Sequence, residues 1–329
     1  MKHSNVKAHA FKGGAALATA ALIAATLIFA SCSNGSGSDG TPADSYDAAT
    51  GKGIVGGVSF TMKSIAAVTN GNVGHADNSS NNNVHTVSLS AYRIGETEVT
   101  QELWQAVMGN NPSAFKDNIE SGEVQGKRPV ENINWYQAIA FCNKLSLKLG
   151  LTPCYTVTVA GNPVNFETLA FSAIPTSDSA DWNNTVLDMS KTGFRLPTEA
   201  EWEWAAKGGT ENKWAGTNVA SELKDYAWYK HSDEGNAKGK THEVKKKEPN
   251  GYGLCDMSGN VAEWCWDWYS TATPADGQTN PTGADSGTFR IKRGGDYTDA
   301  PANTTRAVRN GDKPENSRGT LGLRLASRP

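Results

Sequence analysis

Cysteine and histidine are scarce where a catalytic or metal site would need them. Residues 295–329 contain neither type, and the whole chain has five cysteines and six histidines. No two cysteines have CxxC spacing and no two histidines have HExxH spacing. These are the patterns of zinc sites, redox dithiols and zinc hydrolases. The sequence therefore argues against zinc and dithiol chemistry.

Four cysteines follow Cys32, and the sequence leaves their state open. An exported protein can form disulfides, and four cysteines allow three pairings, which the sequence does not choose among. Cys142 lies on the apolar face of a predicted helix, and Cys265 lies among tryptophans. Both positions equally suit buried thiols that act as small hydrophobic residues.

Long apolar runs are also missing, with one exception near the N-terminus. Residues 15–30 are almost wholly apolar and follow three lysines, which is typical of a signal peptide and too short for a membrane span. The run leads into residues 29–32, Phe-Ala-Ser-Cys, which resemble the lipobox of bacterial lipoproteins. We predict a lipoprotein signal peptide over 1–31 and lipidation of Cys32. An ordinary cleaved signal with an incidental cysteine is the alternative.

The residues after Cys32 have the composition of a tether. Residues 33–40 are nearly all Ser, Gly and Asn, which gives a flexible chain with nothing apolar to bury. We predict a tether over 32–52 and one folded domain over 53–329. A lipid on Cys32 would anchor this domain to the surface of a bacterial outer membrane without spanning it.

The charge balance offers no basic face. The first 31 residues hold three lysines and no acidic residue, so without them the formal net charge falls from −3 to −6. Nucleic-acid binding needs a basic surface to meet the phosphates. We therefore expect no nucleic-acid partner. Separately, we predict that the protein is a monomer.

Three helices can be predicted from their caps. Thr100, Asn134 and Thr198 each precede apolar residues at three- and four-residue spacing, and Gly109 and Gly150 end the first two helices. Other regular patterns are few, whereas the chain has ten tryptophans and 34 glycines. This composition predicts a loop-rich fold in which aromatic clusters replace long layers. We expect one shared core to hold Trp202, Trp204, Trp264, Trp266 and Trp268.

Six motifs occur in a recognisable order between residues 54 and 326. They read GETEVTQELW, RPVENINWYQAIAFCNKLS, FRLPTEAEWEWAA, NGYGLCDMSGNVAEW, RGG and GLRLA. Together they resemble the formylglycine-generating enzyme (sulfatase-modifying factor) family. The resemblance implies an α+β, C-type-lectin-like fold with little regular secondary structure.

The resemblance does not carry the family's oxidase chemistry over. The oxidase members use two cysteines between the RGG and the final GFR-type motif, and these bind copper, a soft ion that prefers thiolates. Residues 295–329 contain no cysteine here. We therefore expect no copper and no catalytic residue.

The resemblance also implies a calcium site. In the relatives the ion is held by the turn that matches Asp256, Gly259, Val261 and Glu263, and oxygen ligands of this kind suit a hard cation. The alternative from the residues themselves is that Asp256 caps the turn and Glu263 pairs with a framework arginine, either Arg293 or Arg324. The sequence leaves calcium and this alternative open.

The segment RGGDYTDAPANTTRAVRNG, residues 293–311, has no secondary-structure period between its glycines and its arginines. A second group with this fold is the variable proteins of diversity-generating retroelements, in which adenine-directed mutagenesis rewrites a C-terminal segment. An asparagine codon altered in this way cannot reach Lys, Glu, Gln, Met or Trp. Residues 296–305 contain none of these five, which favours the variable-protein interpretation. An exposed loop with no such history is the alternative.

The variable-protein interpretation divides the segment into a frame and a face. Arg306, Arg309 and Arg324 are predicted to be partly buried and hydrogen-bonded, with Gly294 and Gly295 in tight turns. Tyrosine offers a large contact area at low entropic cost, so Tyr297 is predicted as the anchor of a ligand. The face predicted to bind that ligand comprises Asp296, Tyr297, Thr298, Asp299, Asn303, Asn310, Asp312, Ser317 and Thr320.

The sequence thus predicts a surface lipoprotein that binds a protein or glycan ligand through a variable C-terminal face on a fixed body. A formylglycine-generating oxidase, or another protein-modifying enzyme of the family, is the second hypothesis. A tethered structural or chaperone-like module is the third. The missing cysteine pair favours the first.

Overall fold

Short helices and strands joined by long loops make up the computed structural model, which describes residues 42–77, 81–117, 119–230 and 236–329. The predicted signal peptide and Cys32 lie outside these residues. The helices are α1 Gln101–Met108, α2 Trp135–Lys148, α3 Ala180–Asn183, α4 Glu199–Lys207 and α5 Leu223–Tyr226. The strands are β1 Ser45–Asp47, β2 Lys52–Val55, β3 Val58–Ile65, β4 Val68–Val73, β5 His85–Leu89, β6 Tyr92–Gly95, β7 Tyr155–Thr156, β8 Thr158–Val159, β9 Asn162–Pro163, β10 Val186–Leu187, β11 Ala262–Trp268, β12 Gln278–Thr279, β13 Arg290–Arg293, β14 Asn310–Asp312, β15 Leu321–Leu323 and β16 Ala326–Ser327. Short 3₁₀ turns cover Gln125–Lys127, Phe171–Ala173, Ala220–Glu222 and Pro301–Asn303.

The three helices predicted from their caps are confirmed. The side chains of Thr100, Asn134 and Thr198 each accept a backbone N–H in the first turn of the helix that follows. The Asn134 and Thr198 caps are full capping boxes. In each, the side chain of the third helical residue, Gln137 or Glu201, accepts a hydrogen bond from the backbone N–H of the cap residue. These contacts satisfy donors that the start of a helix leaves free.

The strands form three main sheets and two isolated pairs within the described residues. Their orders are β1-β2-β3-β6-β16, β14-β13-β11-β15 and β12-β5-β4, with β7-β10 and β8-β9 as the pairs. Neighbours are antiparallel except for β11 with β15 and β12 with β5. The last strands of the chain thus pair with β11 and β6, and the predicted variable segment lies between β13 and β15.

Strand β11 separates two hydrophobic clusters, because successive side chains of a strand point to opposite faces. Trp264 packs with α2 on one face, while Cys265 packs with Trp202 and Ile291 on the other. The prediction of a single core for the five tryptophans is therefore wrong. Trp202 and Trp204 lie with the second cluster, Trp264 and Trp266 with the first, and the buried Trp268 belongs to neither.

The folded part begins earlier than the sequence predicts. Ser45–Asp47 already pairs with β2, so the predicted tether over 32–52 is too long at its C-terminal end. The described residues from 42 to 329 cluster as one compact unit. The four cysteines Cys142, Cys154, Cys255 and Cys265 are buried free thiols. Within the described ranges, none of the helices has the length and apolar character that crossing a membrane requires.

Candidate functional site

Helix α4 presents two acidic side chains to the arginines of the C-terminal segment. Glu199 and Glu203 are one turn apart and so share a helix face. Arg309 donates from Nε and Nη2 to the two Glu199 oxygens at 2.6 and 2.8 Å. Arg293 donates from Nη2 to Glu203 Oε2 at 2.6 Å, and Arg306 Nη1 lies 3.5 Å from Glu203 Oε1. All five side chains are buried, so the ends of the segment are fixed to α4.

Further hydrogen bonds complete this arginine frame, which we define as Arg293, Arg306 and Arg309. Arg309 Nη1 donates to the carbonyl oxygens of residues 81, 270 and 272 at 2.8–3.0 Å. Arg306 Nη1 donates to the carbonyl of Gly74 at 2.9 Å, and Arg293 Nη2 donates to the carbonyl of residue 306 at 2.7 Å. The frame therefore connects the segment to two other loops as well as to α4.

Charge balance explains how so many ions can be buried here. Burial alone would raise the pKa of Glu203, but Arg293, Asn82 and Arg306 outweigh it and hold the pKa below its usual value. Burial of paired charges is tolerated only when the remaining donors and acceptors are also satisfied. The prediction that Arg306, Arg309 and Arg324 are buried and hydrogen-bonded is confirmed, and the burial is deeper than predicted.

Two residues at its start shape the turn between the frame arginines. Gly295 has a φ of 68°, and a Cβ there would lie 2.6 Å from the carbonyl oxygen of Asn303, so glycine is required. The Asp296 carboxylate accepts the N–H of Thr298 at 2.8 Å and also its hydroxyl. Residues 301–303 form a 3₁₀ turn. The turn's shape thus depends on Gly295 and Asp296 more than on the residues at its tip.

The nine residues predicted for the ligand-binding face do not all lie at the surface. Four side chains are exposed, namely those of Thr298, Asn303, Asn310 and Ser317. Asp299 and Thr320 are partly exposed. The three that are buried are Asp296, Tyr297 and Asp312. The prediction of one fully exposed face is wrong for these three.

Each buried residue has a structural partner that its type does not reveal. Tyr297 packs edge-to-face on Phe115, with ring centroids 5.3 Å apart, and its N–H donates to the carbonyl of Asn260 at 2.9 Å. Asp312 accepts hydrogen bonds from Arg318 and from Asn316. Asp296 holds the turn, as described above. Tyr297 is therefore part of the body, and it does not project as the predicted anchor.

The exposed and partly exposed residues lie on two parts of the segment. Thr298, Asp299 and Asn303 lie on the turn, while Asn310 lies on strand β14 with Ser317 in the loop after it. Lys292 is the register partner of Asn310. Burial and the charge of Asp296 raise the pKa of Asp299, and the charge of Lys292 acts in the opposite direction.

The predicted calcium residues lie in a buried acidic cluster that includes Glu98. Glu263 Oε1 accepts from Arg324 Nη2 at 2.7 Å, and Glu263 Oε2 accepts from the indole N–H of Trp202 at 2.6 Å. Glu98 accepts from the side chain of Asn260 and from the N–H of Val261 at 2.7 and 3.0 Å. The pairing of Glu263 with a framework arginine matches the alternative drawn from the sequence.

The carboxylate oxygens of this cluster are mostly engaged by hydrogen-bond donors of the protein. Asp256 Oδ2 accepts from the N–H of Lys245 at 2.8 Å, while its Oδ1 is buried without a partner. Calcium takes six to eight oxygen ligands, and of the predicted carboxylate ligands only Asp256 Oδ1 is free, because Arg324 and Trp202 hold the two Glu263 oxygens. Among the described residues no group of three or more His, Cys, Asp or Glu side chains could hold a metal ion. Calcium binding stays a prediction, which this geometry does not favour.

Burial shifts the titration of this cluster. It raises the pKa of Glu98 well above its usual value, and the nearby Asp256 and Glu263 add to the shift while Arg324 opposes it. Burial likewise raises the pKa of Asp256 to about 6, against the hydrogen bond from Lys245 and the charge of Arg324. Arg324 is thus the cation that the three carboxylates share.

The domain has two hydrophobic clusters around β11, short capped helices and the arginine frame. Together these features define an α+β domain of the formylglycine-generating-enzyme-like class. Residues 54–329 match the model of the sulfatase-modifying factor enzyme 1-like domain, and the chain belongs to this family. The predicted family and fold class are confirmed.

Relatives with known names include both enzymes and other proteins. The chain is 37% identical over 226 residues to the chaperone protein LppX of Paenibacillus barcinonensis, which covers 64% of this chain and 71% of that protein. It is 37% identical over 160 residues to the formylglycine-generating enzyme of Streptomyces coelicolor, covering 44% and 50%. The chain thus spans about half the length of that enzyme.

A solved structure is similar over nearly its full length. Treponema denticola variable protein 1 is 59% identical, with a TM-score of 0.81, and the match covers 84% of this chain and 98% of that one. The structure of CarF shares the fold alone, at 24% identity and a TM-score of 0.59.

The partners of the frame were missed from the sequence. Glu199 and Glu203 lie in the motif FRLPTEAEWEWAA at i,i+4 spacing, and this spacing on a helix with a buried Trp202 is the signal that could have found them. Asn82 was also missed, although it donates to Glu203 Oε2 and to the carbonyl of residue 307 at 2.9 Å each. Residues 81–83 are all asparagine, a composition typical of turns, and no sequence pattern marks Asn82 as the buried one.

Proposed function

We propose that this protein is a surface-anchored binding protein that recognises a protein or glycan ligand through the exposed part of its C-terminal segment. The observation that carries the proposal is the division of this segment. Its arginines are buried on Glu199 and Glu203, while Thr298, Asn303, Asn310 and Ser317 are exposed. Exposed side chains between fixed ends can change at little cost to the fold, which suits a variable recognition surface.

The similarity to Treponema denticola variable protein 1 supports the variable-protein interpretation. If the segment is rewritten by a retroelement, the genome contains a near-copy of its coding sequence beside a reverse transcriptase gene. Sequencing the neighbourhood of the gene tests this. Absence of both the near-copy and the reverse transcriptase from the complete genome would remove the retroelement from the proposal.

The proposal also states that the protein is not a formylglycine-generating oxidase. Because no cysteine lies between Gly295 and Pro329, we expect the purified protein, supplied with copper and oxygen, to leave a sulfatase-type cysteine peptide unchanged. Mass spectrometry of the peptide measures this, with an active family enzyme as the positive control. Copper-dependent conversion of the peptide to the formylglycine form would contradict the prediction.

Membrane anchoring through Cys32 is a further part of the proposal. Lipidation of a cysteine partitions a protein to membranes because the acyl chains are buried in the bilayer. We expect Cys32→Ala to move the protein from the membrane to the soluble fraction, as measured by cell fractionation and immunoblotting. Cys255→Ala is the matched control and should stay in the membrane fraction. Retention of the Cys32→Ala variant in the membrane would count against lipidation.

A further inference from the structure

A cavity lies against strand β11 beside Trp266 and Trp268. Its volume is about 290 Å³, and its lining includes Asn184, Trp266, Trp268, Thr282, Asp285 and Arg290. None of the nine predicted face residues takes part in this lining. The volume corresponds to roughly ten water molecules, which is enough for one monosaccharide-sized ligand.

Arg290 is the unusual member of this lining. It is 1% exposed, yet none of the described carboxylates lies within ion-pair distance of it. Of the five N–H donors of a guanidinium, two are used, from Nη1 to the carbonyl of Trp266 at 2.6 Å and from Nη2 to the carbonyl of Asn183 at 3.2 Å. Its Nε is buried without a partner. A buried cation without an ion-pair partner is costly, and contacts with aromatic rings offset only part of that cost.

The rings around Arg290 restrict where a compensating group can bind. The guanidinium carbon lies 3.8 Å from the centroid of a Trp135 ring and 3.5 Å from that of a Trp268 ring. Both rings lie against the flat of the group, and the centroid of a Trp266 ring lies 5.0 Å from the same carbon. The donors of a guanidinium lie in its plane, and at that edge a carboxylate can accept two parallel hydrogen bonds.

We propose that this cavity binds a small polyhydroxy carboxylate, a sugar acid, with its carboxylate on the edge of Arg290. The side chains of Asn184 and Thr282 supply donors and acceptors for hydroxyl groups, and Trp266 offers an apolar surface for the ring carbons. This site does not depend on the function proposed for the C-terminal segment.

The electrostatics of the cavity agree with an anionic ligand. Burial lowers the pKa of Arg290 to about 9, and Asp267 opposes this shift without forming an ion pair. A bound carboxylate would supply the negative charge that the guanidinium lacks. The exposed Asp285 lies in the same lining, and its charge opposes the ligand's.

The test compares two ligands that differ only in charge. D-glucuronate and D-glucuronamide have the same shape, but only the first carries a carboxylate. The full chain, labelled with ¹⁵N at its tryptophan indoles, is titrated with each at pH 7. For a ligand of this size we expect a Kd for glucuronate on the order of 1 mM, with the shifts confined to a few indoles. Glucuronamide should bind at least about tenfold more weakly. Equal binding of the two, or no binding of glucuronate at roughly 20 times that Kd, would overturn the proposal.

Two variants locate the binding to this cavity. Arg290→Lys keeps a positive charge but loses the planar donor pair, so the preference for glucuronate over glucuronamide should fall from about tenfold to about twofold or threefold. Asp285→Asn, at an exposed position, should keep the fold and tighten glucuronate binding by about twofold to threefold while leaving glucuronamide unchanged. If Arg290→Lys does not fold, the Asp285→Asn result decides. An unchanged affinity for glucuronate in Asp285→Asn would then place the ligand elsewhere and contradict the proposal.

Discussion

Replacing Arg309 with alanine should lower the free energy of unfolding by about 3–5 kcal/mol, because it leaves a buried carboxylate without its main partner. Arg309 makes both bonds of a bidentate pair with Glu199 and also holds three backbone carbonyls. In the variant, only Arg293 at 3.2 Å remains on Glu199. Denaturant unfolding followed by tryptophan fluorescence measures the loss.

Asn303→Ala is the control for Arg309→Ala within the same segment. Its side chain is exposed and makes one long bond of 3.4 Å to Asp299, so its effect should stay within about 0.5 kcal/mol. A double-mutant cycle with Glu199→Ala isolates the pair itself. The account of the frame fails if Arg309→Ala is as stable as Asn303→Ala, or if the cycle gives no coupling.

Replacing Arg324 with alanine should cost a similar amount, about 3–5 kcal/mol at pH 7. Arg324 is fully buried, pairs with Glu263, and donates to the carbonyls of Gly95 and Cys255 at 2.9 Å. Without it, the carboxylates of Glu98, Asp256 and Glu263 remain together in a buried site. Arg328→Ala is the matched control, because that side chain is exposed and its removal should change the stability by no more than about 0.5 kcal/mol.

The Arg324→Ala variant should also show a characteristic pH dependence. Burial raises the pKa of Glu98 and of Asp256, the latter to about 6, and loss of Arg324 raises both further. A carboxyl whose folded pKa lies above its unfolded value near 4 binds more protons when folded, so its contribution to stability increases as the pH falls. The difference between variant and wild type should therefore shrink from pH 7 to pH 5. A difference that is constant over this range would contradict the shared role of Arg324.

The features of the fold that could be predicted are those set by residues close together in the sequence. The starts of α1, α2 and α4 follow from cap residues within three positions of the first turn, and burial of Arg306, Arg309 and Arg324 follows from arginines set among glycines in a motif. The contacts of Arg309 with Glu199 and of Arg293 with Glu203 join residues 110 and 90 positions apart. No local pattern specifies such pairs.

The predicted exposure of the binding face was wrong for residues whose type is compatible with both a surface and a buried position. Asp296 and Asp312 are polar and Tyr297 is amphipathic, which suits either a surface or a satisfied interior. What buries Tyr297 is Phe115, which lies in a loop after α1. What buries Asp312 is its contact with Arg318 and Asn316. The structure exposes Thr298, Asn303, Asn310 and Ser317, as predicted, while ligand binding by these residues stays a prediction.

The most direct test of the account is the pattern of natural variation in the C-terminal segment. Deep sequencing of the codons for residues 293–326 across a population of cells measures it. If the segment is a changeable recognition surface on a fixed frame, substitutions should be concentrated at residues 298, 299, 303, 310 and 317. Arg293, Arg306, Arg309 and Arg324 should remain unchanged. Substitutions at the four arginines as frequent as those at the exposed positions, or a segment identical in every cell, would contradict the account.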